Sequence, residues 1–190
     1  MNAPLSPPVA GLPIAAWVDG ELVPVDKLEV HRRGLRHPAV SVFVMQGRRV
    51  LIQRRALSKY HTPGLWANTC CTHPHWGEDP AACAARRLRE ELGISGLGVI
   101  RAGQIEYRAG VGQGLTEHEV VQVFLAEAPA GLAVAPDPAE VAEVAWADLY
   151  DLAAETARHP ERFTPWLRIY LAEHMETIFA SHAPGLQATR

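Results

Sequence analysis

Lysine is nearly missing from this chain: of 18 basic residues only Lys27 and Lys59 are lysine, so any phosphate clamp must be mostly arginine. Cysteine is scarce as well. Cys70, Cys71 and Cys83 form an odd set with two members adjacent, which makes a poor disulfide framework and suits a reducing compartment. The cytoplasm is therefore the expected location. No C-x-x-C or H-x-x-x-H pair stands at the spacing of a structural zinc site. No window holds 18 consecutive apolar residues, and residues 1–8 lack the basic and apolar regions of a secretion signal, so no membrane partner is expected. A net charge of -3 leaves no broad basic field, which argues against nucleic acid as a partner.

What is present fits one globular domain of 190 residues, 48% hydrophobic and 21% charged. Residues 1–25 read as a flexible arm that could order over a bound substrate, 26–180 as the domain, and 181–190 as a tail. Residues 39–45 and 49–53 are β-branched runs across Gln46-Gly47 and read as a hairpin. Residues 119–126 read as a strand buried on both faces, and 141–146 as a weaker one. The strongest helix signal spans 79–93, with Asp79 as N-cap, Pro80 at the first turn and Gly93 past the end. Ala81, Ala84, Ala85, Leu88 and Leu92 form its apolar stripe, while Arg87 and Glu91 share another face. Further helices are expected over 146–158 and from Thr164-Pro165-Trp166 to about Phe179. Strands and helices without regular alternation predict an α+β fold around a mixed sheet.

Chemistry concentrates in residues 65–78, just before the capped helix. In an extended segment Cys71 and His73 project to the same side, although an isolated thiol more often packs as a small hydrophobe. Glu117 and Glu119 likewise share a side, with His118 opposite. Two carboxylates so placed repel, which a metal or a shared proton would relieve, and a solvated edge is the plain alternative. With His31, His37 and His73 they offer five nitrogen and oxygen donors for a divalent ion such as zinc, manganese or magnesium. The remaining histidines, His61 among them, read as ordinary. Arg54, Arg55, Lys59 and Arg87 make a cationic group that suits phosphate, though alone it is only surface charge.

Glu78, Arg86, Leu88, Glu90, Glu91, Gly93 and Ile94 resemble a degenerate Nudix box, in which Thr72 replaces the first glycine and Arg87 replaces a glutamate. Together with Arg55-Ala-Leu-Ser-Lys59, Pro63-Gly-Leu-Trp66, Asn68-Thr-Cys-Cys71-Thr-His-Pro74 and Glu117-His-Glu119, the chain from about Lys27 to Trp166 resembles type I isopentenyl-diphosphate Δ-isomerases. The resemblance implies a Nudix-like α/β/α sandwich and a prenyl diphosphate as small-molecule substrate. It implies Cys71 and Glu119 as the proton-transfer pair, with Tyr107 and Trp166 near the reacting carbons. It implies His31, His37, His73, Glu117 and Glu119 as ligands of one divalent metal (manganese, zinc or magnesium). Glu91 would assist a Mg²⁺ ion on the substrate diphosphate, which Lys27, Arg55, Lys59 and Arg87 would bind. A monomer is the expected state, with a homodimer as the alternative. A Nudix-type diphosphate hydrolase and a non-catalytic metal-stabilised module are the competing readings, and Arg87 argues against the hydrolase.

Overall fold

A computed structural model describes residues 13–180. Ile14–Val18 (β1) and Glu21–Val25 (β2) pair antiparallel and lead into a short helix, Lys27–Arg33 (α1). Residues 14–25 are thus a hairpin and not part of the expected flexible arm. Ile14 and Ala16 bury against Val30 of α1, which supplies the apolar contact an unattached arm would lack. Residues 1–12 and 181–190, the rest of the expected arm and the tail, lie outside the described residues.

The main sheet is built on Arg36–Gln46 (β3) and Arg49–Arg55 (β4), the hairpin expected across Gly47. These strands pair only beside their turn, at Met45 with Val50 and Gln46 with Arg49, and then diverge. Trp66–Ala67 (β5) pairs with β4 and Cys70–Thr72 (β6) pairs with β3, filling the gap. On its other edge β3 runs parallel to Leu115–Glu127 (β8), which pairs antiparallel with Ile100–Gly112 (β7). Val141–Asp148 (β9) closes the far side against β4.

Alternation decides what each face carries. Ala39, Phe43 and Met45 of β3 with Val121 and Val123 of β8 face one core, and Val40, Val42, Val44 and Phe124 face the other. The first core is covered by Leu149–Arg158 (α3), Pro165–Glu173 (α4) and Met175–Phe179 (α5), the second by Pro80–Leu92 (α2). The result is the expected α/β/α sandwich.

Asp79 caps α2 by accepting from the Ala81 and Ala82 amides, and Gly93 ends it in the left-handed region at φ 66°. Its stripe differs from the expected one: Ala85 is exposed and Cys83 is buried, because the sheet lies nearer the 84–88–91 side of the helix. Residues 146–148, expected as the start of α3, stay in β9, and the helix begins only after Asp148 caps it. The last expected helix is two, with a break at His174.

Candidate active site

Strand alternation puts His37 and Ser41 of β3, Cys71 of β6, Tyr107 of β7, and Glu117 and Glu119 of β8 on the helix-α4 side, at one end of the sheet. The parallel register sets His37 beside Glu119, and the antiparallel ones set Cys71 beside Ser41 and Tyr107 beside Glu119. One cavity is lined by Lys27, Arg55, Lys59 and Arg87, by Cys71, His73, Tyr107 and Trp166, and by Glu91, Glu117 and Glu119. His31 and His37 lie fully buried beneath it. All the sequence-derived site residues therefore meet in one place. A larger groove beside α3 and α4, about 510 Å³, is lined by Ala109, Ala153, Pro160, Pro165 and Ile169, with Arg168 and Glu173 as its only charged residues among those described.

The histidines are oriented by backbone. His31 Nδ1 donates to the Lys27 carbonyl and His37 Nδ1 to the Leu35 carbonyl, each at 2.7 Å, which directs both Nε2 atoms inward. Donor atoms of His31, His37, His73 and Glu119 lie within 4.8 Å of one another. Glu117 falls in a second such group, with His31 and His61. Among the described residues His31 Nε2 and His73 Nδ1 are buried without a hydrogen-bond partner, and burial lowers the His31 pKa to about 4. Burial also holds His73 neutral. Neutral imidazoles beside a carboxylate are the donor chemistry that a divalent ion needs, so these residues fit a metal.

The Tyr107 hydroxyl lies 2.8 Å from Glu117 and 2.8 Å from Glu119. Burial, and then the Glu119 charge, push Glu117 well above the carboxylate range. Burial opposes ionisation of Glu119 too, but hydrogen bonds from His37 and His73 outweigh it and pull that carboxyl well down. A hydroxyl has one proton to give, so a protonated Glu117 donating to Tyr107, and Tyr107 to Glu119, satisfies all three groups.

Cys70 is fully buried in the α2 core, so Cys71 is the thiol that faces the cavity. Its Sγ donates to Asn68 Oδ1 at 3.0 Å and lies 3.3 Å from Ser41 Oγ. Burial pushes this thiol far up, which keeps it protonated at neutral pH. Trp166 is buried at 2% exposure, with its ring 5.3 Å from the Arg55 guanidinium.

The cations line the same cavity. Burial and then the charges of Lys59, Arg87 and Arg55 lower Lys27 to about 8, so these cations are close enough to repel. Arg87 donates to Glu91, whose other oxygen accepts from Gln53 at 3.0 Å. Lys59 and Arg87 both pair with Glu140. Sequence reasoning missed Glu140, Tyr60 and His61. Glu140 stands before β9 and meets the site only through chain folding, whereas Tyr60 and His61 adjoin Lys59 and were open to notice.

Comparison with known proteins agrees with this geometry. Residues 35–167 match the NUDIX domain family. The chain is 72% identical over 166 residues to a Cereibacter sphaeroides protein named isopentenyl-diphosphate Delta-isomerase, covering 87% of this chain and 94% of that one. A Dinoroseobacter shibae protein of the same name is 70% identical over 170 residues, covering 90% and 97%. Among solved structures, a Deinococcus radiodurans protein superposes with TM-score 0.66 at 16% identity, covering 84% of this chain and 96% of that one. A MutT NUDIX hydrolase from Burkholderia pseudomallei gives 0.55 at 25% identity, covering 72% and 95%. With a domain match over most of its length and relatives this similar, the chain belongs to the isopentenyl-diphosphate Delta-isomerase family of Nudix-domain proteins.

Proposed function

We infer that the chain interconverts isopentenyl and dimethylallyl diphosphate. The observation that carries the reading is one cavity joining a protonated thiol and a buried carboxylate pair to four cations. The cations suit a diphosphate, and the aromatic faces of Tyr60, Tyr107 and Trp166 suit a C5 alkene.

In the forward direction a proton adds to the terminal CH₂ of the alkene, leaving a tertiary cation at the adjacent carbon. Loss of a proton from the CH₂ between that cation and the carbon bearing the diphosphate then re-forms the double bond in its new position. Cys71 and Glu119 are the acid–base pair, each placed by hydrogen bonds that fix its reacting atom. The Trp166 ring supplies a π face for the cation, and Tyr107 holds the carboxylate geometry. Helix α4 and the sheet keep water from a cation that water would trap.

A divalent ion, manganese, zinc or magnesium, held by His31, His37, His73, Glu117 and Glu119 would fix Glu119 and tune its acidity by its charge. Glu91, at the edge of the cationic cluster, would assist a Mg²⁺ ion on the diphosphate. Arg87 stands where a Nudix hydrolase needs glutamate and pairs with Glu90 and Glu91, which disfavours hydrolysis. Three free thiols among the described residues favour a reducing, cytoplasmic compartment over a secreted location.

Proton NMR of isopentenyl diphosphate in D₂O with Mg²⁺ tests the reading. Deuterated dimethylallyl diphosphate is expected, with the rate falling at least about 100-fold in Cys71→Ala and in Glu119→Gln. Release of inorganic phosphate without isomer would overturn it.

A further inference from the structure

His61 carries no role in anything described so far, yet it sits in the middle of the site. It lies on the loop between β4 and β5, 5% exposed, its ring stacked on His31 with centroids 5.8 Å apart and planes 24° from parallel. Its Nδ1 is 3.2 Å from Thr62 Oγ1, which leaves Nε2 as the free end of the ring. That Nε2 stands 3.8 Å from Glu117 Oε1, too far for a hydrogen bond. Two ligands each roughly 2.1 Å from one ion stand about 3–4 Å from each other, so the separation suits a shared ion. One donor atom each from His31, His61 and Glu117 lies within 4.8 Å of the others.

Two further observations point the same way. His31 Nε2, fully buried and without a hydrogen-bond partner among the described residues, is aimed into this space, and His31 belongs to both donor groups. Thr62, a β-branched residue 8% exposed, adopts φ 46°, a left-handed conformation that strains such a side chain. The strained residue is the one whose hydroxyl meets the His61 ring.

We propose that His61 is a metal ligand, the sixth donor beside His31, His37, His73, Glu117 and Glu119. The site is then a four-imidazole, two-carboxylate set suited to a six-coordinate ion and not to tetrahedral zinc. The proposal rests on the metal reading given under Proposed function.

The test loads the full-length chain with cobalt(II), without substrate, and records X-ray absorption at the cobalt edge, where outer-shell scattering counts imidazole rings. Four imidazoles are expected, and three would overturn the proposal while keeping the metal site. No stoichiometric cobalt would overturn both. In parallel, competition titration should show cobalt affinity falling at least about tenfold in His61→Ala and recovering with free imidazole. Unchanged affinity in a folded His61→Ala protein would also sink it, and if that variant does not fold, the imidazole count in the unsubstituted chain decides.

Discussion

Asn68→Ala probes the claim that Cys71 works as a thiol held in place, not merely present. Asn68 is fully buried. Its Nδ2 donates to Ser41 Oγ and the Val42 carbonyl at 2.9 Å and to the Cys70 carbonyl at 3.1 Å, while its Oδ1 accepts from Cys71 Sγ at 3.0 Å. Alanine removes a donor from two buried carbonyls and a hydroxyl, and the acceptor from the thiol. Each buried polar group left short costs about 1–3 kcal/mol, and with Ser41 free to rotate a total near 3 kcal/mol is expected. Domains of this size typically hold about 5–15 kcal/mol, so the variant still folds. Urea unfolding should show this loss as a lower midpoint at unchanged slope. The cations that take the diphosphate do not touch Asn68, so KM should hold while kcat falls at least about tenfold through the misplaced thiol. Asn68→Asp keeps an acceptor but loses the donor and adds charge, and it should rescue neither quantity. Wild-type stability with wild-type kcat in Asn68→Ala would refute the reasoning.

Other outcomes follow from the same contacts. Burial lowers His31 to about 4 and His61 to about 2 against 6.5 when unfolded, and holds His73 neutral as well. Below pH 6.5 the unfolded chain binds protons that the folded one refuses, so stability falls as pH falls; Glu117, held protonated, works in the opposite sense. The net loss in chelated protein should be about 1.5–3 kcal/mol per pH unit between pH 6 and 4.5, and a flat urea midpoint over that range would contradict it. Arg87→Glu restores the Nudix-box residue but sets a carboxylate among Glu90, Glu91 and Glu140. It should destabilise by about 3 kcal/mol or more and release no phosphate from the substrate, and appearance of hydrolase activity would reverse the argument against that reading. Glu140→Gln frees Lys59 and Arg87 from a competing carboxylate and should lower KM for the diphosphate by up to about tenfold, as initial rates would show; a raised KM would mean that Glu140 positions the two cations.

The parts of this molecule that were legible beforehand are those whose signals are local. Asp79, Pro80 and Gly93 marked α2 because capping is a matter of adjacent residues, and the spacing of Glu117 and Glu119 gave a shared side because strand alternation is. The hairpin at 14–25 was not legible, since its burial depends on Val30, and α1 was too short to show a period. β7 was missed because its outward face is exposed and Gly103, Gly110 and Gly112 interrupt it. The site residues were found by family pattern more than by physics. Their meeting needs the parallel pairing of β3 with β8, between strands about 80 residues apart, which no local signal announces.

That pairing and α1 together tie the two ends of the cavity. Lys27 and His31 are one helical turn apart, and the Lys27 carbonyl is the group that orients the His31 ring. The same residue thus presents its side chain to the cavity and its carbonyl to the His31 ring. Asp26 caps this helix through the Glu29 amide, and Gly34 closes it at φ 60°. A seven-residue helix is marginal by itself, so its stability comes from Val30 in the hairpin core and from the charges it places. Occupancy at either end should therefore stabilise the geometry of the other. The hairpin at 14–25, which supplies the apolar contacts of Val30, belongs to the active site by this route although none of its residues lines the cavity.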